Sequence, residues 1–130
     1  MQDRPTYDEL LAQVERFLDE EIVPNVEGSR GFHARVAANA IRIVRRELEH
    51  EDEQLASEWA GLDELLGSAN RPAKDAAMRD ALRARNTELS ERIRNGKADG
   101  AVYRQQVVEH VHRTVRDKLA VSNPRWLDGG

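Results

Sequence analysis

The stretch Gly31-Phe-His-Ala-Arg-Val-Ala-Ala-Asn-Ala-Ile-Arg-Ile-Val-Arg-Arg-Glu-Leu48 decides the fold. Phe32, Val36, Ala40 and Ile43 recur at three- and four-residue steps, the repeat of one helix face. The spacing predicts an amphipathic helix with that stripe turned inward. Asn39 falls beside the stripe, and Arg35 and Arg42 border it. A polar amide at such a position either fixes how helices pack or contacts a ligand.

The helical reading extends in both directions. Towards the N-terminus, Thr6 and Glu9 have the spacing of a capping box, which starts a helix with Leu10, Val14, Phe17 and Leu18 on its inner face. Pro24 stops it, because the residue before a proline disfavours helical geometry. Gly28, Ser29 and Gly31 read as a turn. Beyond Glu49, His50-Glu-Asp-Glu53 lacks an apolar residue, and Asp52 is a candidate cap. A further helix carrying Leu55, Trp59, Leu62 and Leu66 follows; one bent helix across residues 31–66 is the alternative. Gly67 is a helix-terminating residue. In the loop after it, Asn70 and Pro72 suit a cap and a first helical turn. Met78, Leu82, Leu89 and Ile93 then share a side, with Asn86 in the gap where another apolar residue would fit. Asn95-Gly96 ends that helix. The last helix starts near Ala101, places Val108, Val111, Val115 and Leu119 on one face, and closes at Asn123-Pro124. Arg125-Trp126-Leu127 forms a tail folding back on the core. The expected fold is all-α, a single domain over residues 1–130 built as an antiparallel bundle of four to five helices.

Composition agrees. The chain of 130 residues is 39% hydrophobic, 5% aromatic and 34% charged, with four prolines. A domain of this length buries roughly two-thirds of its unfolded surface and needs no metal or disulfide to fold. It has no cysteine, which removes disulfides, thiolate catalysis and cysteine zinc sites. No run approaches the roughly 18 apolar residues of a membrane helix, and the N-terminus lacks the basic and apolar regions of a signal peptide. The expected setting is soluble and cytoplasmic, with no membrane partner.

The net charge of −4 is unevenly spread. Residues 1–22 hold seven acids and two bases, residues 28–46 five bases and no acid, and residues 47–65 eight acids and no base. Such alternation matches neighbouring helices to one another, and an acidic total argues against a nucleic-acid partner.

Few residues offer chemistry. Asn39 and Asn86 each border an apolar face, where an unpaired amide would cost roughly 1–3 kcal/mol, so a buried hydrogen bond, including one to each other, is the expectation. Arg35, Arg42 and Arg46 lie on one side of their helix. They suit ion pairs with Glu15, Asp19, Glu47 or Glu51, or else bidentate capture of a phosphate or carboxylate. His33 opens the helix next to Arg30. His110 and His112 are two apart and diverge, so no metal site is expected. Lys118 and Arg125 could meet an anion while Trp126 covers an apolar surface. No nucleophile triad or glycine-rich phosphate loop is present, and no cofactor is implied.

Taken together, Arg4-Pro-Thr6, Phe32-His-Ala-Arg-Val-Ala-Ala-Asn39, Asn86 with Ile93-Arg-Asn-Gly96, and Lys118-Leu-Ala-Val-Ser-Asn-Pro-Arg125 resemble a small bacterial family of unknown function. Its members are associated with kinases similar to aminoglycoside and choline phosphotransferases, and with acyl-CoA dehydrogenases. The resemblance implies a helical accessory module beside such a partner and supplies no catalytic residue. The alternative is a small-ligand binder or enzyme for a phosphorylated or CoA-linked metabolite, with an arginine-lined pocket. On either reading Arg35, Asn39, Arg42, His33, Lys118 and Arg125 are the candidate contact residues, and Asn86 a structural amide. Self-association is compatible with a spare apolar helix face.

Overall fold

The structure, a computed structural model, describes residues 3–73 and 76–129. It is 82% helical. The helices are α1 (Tyr7–Phe17), α2 (Ser29–Leu66), α3 (Ala76–Arg94), α4 (Ala101–Ser122) and the short α5 (Arg125–Asp128). No strand occurs among the described residues. Among the described residues no helix is long and apolar enough to cross a membrane.

The start of α1 follows the sequence expectation. Thr6 accepts a bond from the Glu9 amide at 3.2 Å, and the Glu9 carboxylate accepts one from the Thr6 amide at 3.0 Å. After Phe17 the chain loosens into a π-helical turn over Leu18–Ile22 and a 3-10 turn over Val23–Asn25, so Pro24 ends the helix through a graded exit. The helix expected from Phe32 begins three residues earlier, taking Ser29 and Gly31 out of the expected turn.

Residues 31–66 lie within one continuous helix of 38 residues. The acidic stretch at 50–53 does not break it, because Glu51 turns inward and accepts a bond from Arg79 at 2.8 Å. The helix ends where glycine allows it: Gly67 has φ +92°, and its amide still bonds the Asp63 carbonyl. Asn70 and Pro72 lie in the non-helical segment 67–73, so the expected first turn at Pro72 is not formed.

Two compact units emerge, and α2 contributes to both. The first comprises residues 1–50 with 121–123, the second 51–120 with 124–130. The second unit holds a closed apolar core: Trp59, Leu62 and Leu65 from α2, Met78, Leu82 and Leu89 from α3, then Ala98 and Val107. Leu62 is fully buried. In the first unit the buried apolar side chains among the described residues are Ala34, Ala38 and Val121, and α1 buries none.

Several inner faces are rotated from the expected ones. Leu10, Val14 and Phe17 are about half exposed, as are Phe32 and Val36. On the first half of α2, Ala34 and Ala38 are the buried side chains instead. On α4 the buried side runs through Tyr103, Val107 and His110, leaving Val108, Val111 and Val115 outside. On α3 the gap in the apolar row is filled by Arg85, whose guanidinium lies 4.5 Å over the Trp59 ring and pairs with Asp63 at 2.7 Å. Ile93 is exposed, and Trp126 is 71% exposed, so the tail does not close the core.

Candidate functional site

Within the first unit the acids of α1 meet the bases of α2. Arg42 pairs with Glu15 at 3.0 Å and with Asp19. Arg45 forks onto Asp8 at 2.9 and 3.3 Å and reaches Glu15 at 2.8 Å. Each guanidinium is held more firmly protonated than usual, Arg42 mainly by its bond to Asp19 and Arg45 mainly by its bond to Asp8. The bond from Arg45 also pulls the Asp8 carboxyl below its ordinary pKa. Arg46 donates to the Val121 carbonyl at 2.6 Å. Asp8, Glu15, Arg42, Arg45 and Arg46 border, with Tyr7, a cleft of about 670 Å³. Its arginines are matched by Asp8, Glu15 and Glu49, so the cleft has little net field for an anion.

The opposite, outward side of α2 is a different surface. Phe32 and Val36 are 58% and 51% exposed, with His33, Arg35 and Asn39 exposed beside them. The Phe32 and His33 rings meet edge to face at 5.6 Å. Arg35 forms an ion pair with none of the described residues. Asn39 is therefore not the buried amide its spacing suggested: the inner side of α2 passes through Ala34 and Ala38, about a third of a turn away.

Of the candidate residues, Arg35 and Asn39 lie on one side of Phe32 and Val36 and His33 on the other, while Arg42, one heptad from Arg35 on the same side of α2, pairs with Glu15 and Asp19. Lys118 and Arg125 belong to the second unit and are exposed. Lys118 lies 4.0 Å from Glu58. Asn86 is half-buried and donates to Glu58 at 2.9 Å, which satisfies its amide without a second asparagine.

Two features escaped the sequence reading. Arg45 is the strongest ion-pair partner of α1, and its i, i+3 relation to Arg42 was the available signal. His110 is buried, with its Nδ1 lacking a hydrogen-bond partner. It packs against the bare backbone of Gly61, where a Cβ would come within 2.2 Å of Nδ1. Burial first, then the neighbouring Arg113, lowers the His110 pKa, so the ring is neutral near pH 7. Among the described residues no group of three or more His, Asp or Glu could hold a metal ion.

Comparisons with curated proteins and with solved structures gave no match. One family model matches residues 24–126, spanning α2 to the start of α5 and therefore both the outward face and the second unit's core. The chain belongs to the family described as domain of unknown function DUF6285.

Proposed function

We propose that the chain is a non-catalytic helical interaction module that engages a protein partner through the outward face of α2. The observation that carries this reading is the grouping of two large apolar side chains, Phe32 and Val36, more than half exposed beside Arg35, which forms no ion pair within the described chain. An apolar centre with a cationic rim suits a partner surface whose own rim is acidic. The kinase-like or acyl-CoA dehydrogenase-like partner implied by the sequence resemblance is the finer form of the proposal. The test is affinity capture of the tagged chain at low salt, read by mass spectrometry. A stoichiometric partner retained by the native chain and lost with Arg35→Ala supports the reading. Partner capture unchanged by Arg35→Ala, with a lowered melting temperature, makes Arg35 structural and removes this face.

The second reading, a binder of phosphorylated or CoA-linked metabolites, draws on the 670 Å³ cleft bordered by Arg42, Arg45 and Arg46. Its volume lies within the range of about 300–1,000 Å³ typical of small-molecule sites. Its arginines are already engaged by Asp8, Glu15, Asp19 and the Val121 carbonyl, so a ligand would have to displace those bonds. A thermal shift with CoA or a sugar phosphate, abolished by Arg45→Ala, would favour it over the interaction module.

A further inference from the structure

α1 rests on α2 through charge more than through packing. Asp8, Glu15 and Asp19 stand seven and four residues apart, which puts them in one row along α1 and the turn after it, with Leu11 and Leu18 beside them. That row meets Arg42 and Arg45. Ala38 lies one helical turn before Arg42 and two before Arg45, with Ala34 a further turn back, so these two buried alanines are the floor beneath the row. No residue of α1 or of the two turns after it is buried. The 670 Å³ cleft lies between the start of α1 and the Arg42–Glu49 stretch of α2, space that a close-packed helix pair would fill.

The link to α2 is equally loose. A π-helical turn, a 3-10 turn with Pro24, an extended Val26 and Gly28 at φ +73° follow one another before Ser29. Backbone changes in such a junction swing a helix as a unit. The residues that match the family model begin at 24, so α1 lies outside them. Part-exposed ion pairs are weak singly and weaken further with salt, so α1 can leave without disturbing the apolar cluster around Leu62. What it uncovers is the most basic part of the chain, since residues 28–46 hold five bases and no acid. Ala34, Ala38 and Ile41 then form an apolar strip with Arg42 and Arg45 along it. The helix that fills this seat shows what it accepts: acids at i, i+7 and i+11 with leucines at i+3 and i+10, laid into a groove by an amphipathic face. We infer that α1 is a displaceable strap, and that the seat beneath it on α2 receives an acidic, leucine-bearing helix of a partner protein once α1 lifts. Tethering gives α1 a high effective concentration, so the seat stays shut until the ion pairs weaken or a partner adds contacts elsewhere. The outward face of α2 is a separate surface, and the strap does not depend on it.

The test uses the full chain, with a labelled peptide of residues 4–25 as the probe helix and fluorescence anisotropy as the readout. In Asp8→Lys with Glu15→Lys and Asp19→Lys, the strap is repelled by Arg42 and Arg45. That variant should keep a helical far-UV spectrum and bind the peptide at least about tenfold more tightly than the native chain, whose seat is taken. Adding Arg42→Glu and Arg45→Glu should abolish peptide binding, because the swapped charges close the strap again and repel the probe. A helical triple variant that binds no better than the native chain, or peptide binding that survives the two arginine changes, overturns the inference. Amide hydrogen exchange of the native chain decides the matter if the triple variant does not fold. Protection in Tyr7–Phe17 should fall about tenfold between dilute buffer and about 0.5 M salt while that around Leu62 holds. Protection of α1 that does not fall, or that falls together with Leu62, would sink the strap. Arg35→Ala tests only the outward face, so the interaction module and the strap fail separately.

Discussion

The two units of the molecule use opposite means of holding helices together. The second encloses Trp59, Leu62, Leu65, Met78, Leu82 and Leu89 in one apolar cluster. The first has, among its described residues, no apolar side chain larger than Val121 buried, and joins its helices through Asp8, Glu15, Asp19, Arg42 and Arg45. Apolar burial contributes about 25 cal/mol per Å², whereas part-exposed ion pairs contribute about 0–1 kcal/mol each and weaken with salt. The difference teaches where the chain keeps its stability and where it keeps its surface. The second unit is self-sufficient in apolar contacts, and the first leaves its large apolar side chains available to something else.

The largest test of that contrast compares two truncations. Leu62→Ala removes a fully buried side chain and should cost about 3–5 kcal/mol in chemical denaturation. Val36→Ala removes a half-exposed side chain from the outward face and should stay within about 0.5 kcal/mol, since alanine is also the better helix former. Equal losses would show that the first unit has a core after all.

Next in size is Gly61→Ala, which sets a methyl group 2.2 Å from His110 Nδ1 and 2.9 Å from Arg113 Nη2. The α2 and α4 backbones must part or the imidazole must leave its site, an overpacking loss of about 1–3 kcal/mol. The same substitution in an open helix would stabilise by up to about 1 kcal/mol, so the sign of the change is diagnostic. A more stable Gly61→Ala variant would mean that the imidazole does not sit against this glycine.

These positions also mark what the sequence makes legible. Local signals carried through: the Thr6–Glu9 capping box and the Gly67 terminator depend on neighbours in the chain, and both form. The acidic stretch after His50 concealed a continuous helix, because the inward position is taken by Glu51 and neutralised from α3 by Arg79. Hydrophobic periodicity found the helical segments and the inner face of α3 and of the second half of α2, but picked a face other than the buried one on α1, on the first half of α2 and on α4. His110 occupies the inner row of α4, and Arg85 the inner row of α3, held there by Trp59, Asp63 and the Gly67 carbonyl. Such partners are distant in sequence, and no spacing rule announces them. The candidate site was legible only in part: Arg35, Asn39 and Arg42 do lie along one side of α2, but the Arg42 guanidinium is engaged by acids distant in sequence. The ion pairing expected of helix-two arginines is realised at Arg42 with two of the partners expected, Glu15 and Asp19.

A smaller effect should separate the units by salt. Arg45→Ala removes the fork onto Asp8 and the bond to Glu15, and loosens the hairpin without touching the apolar cluster. The fall in melting temperature should be clear in dilute buffer and shrink at 1 M salt, where the screening length drops to about 3 Å. A salt-independent loss would mean that the Arg45 side chain acts through packing instead.

The smallest expected effect separates them by pH. In the first unit, the Arg45 fork lowers the Asp8 carboxyl from its ordinary 3.8, and Arg4 together with the Thr6 amide lowers Glu9 from 4.5. Depressed carboxyl values give stability that is present above the unfolded values and lost as pH falls through the folded ones, so the hairpin weakens only below about pH 4. In the second unit, burial and Arg113 lower His110 from 6.5, against the opposing pull of Glu58 and Glu64. Its stability is complete above 6.5 and declines as pH falls from there through the depressed folded value, because only the unfolded ring takes up a proton in that window. Amide hydrogen exchange, read residue by residue between pH 7 and 5, should therefore show protection falling first around Gly61 and His110 while α1 is unchanged. In His110→Gln, with no proton to bind, that early decline should vanish. If protection near Gly61 is flat to pH 5 in the native chain, the imidazole is not buried in its neutral form, and the contrast between an apolar and an ionic unit loses its pH signature.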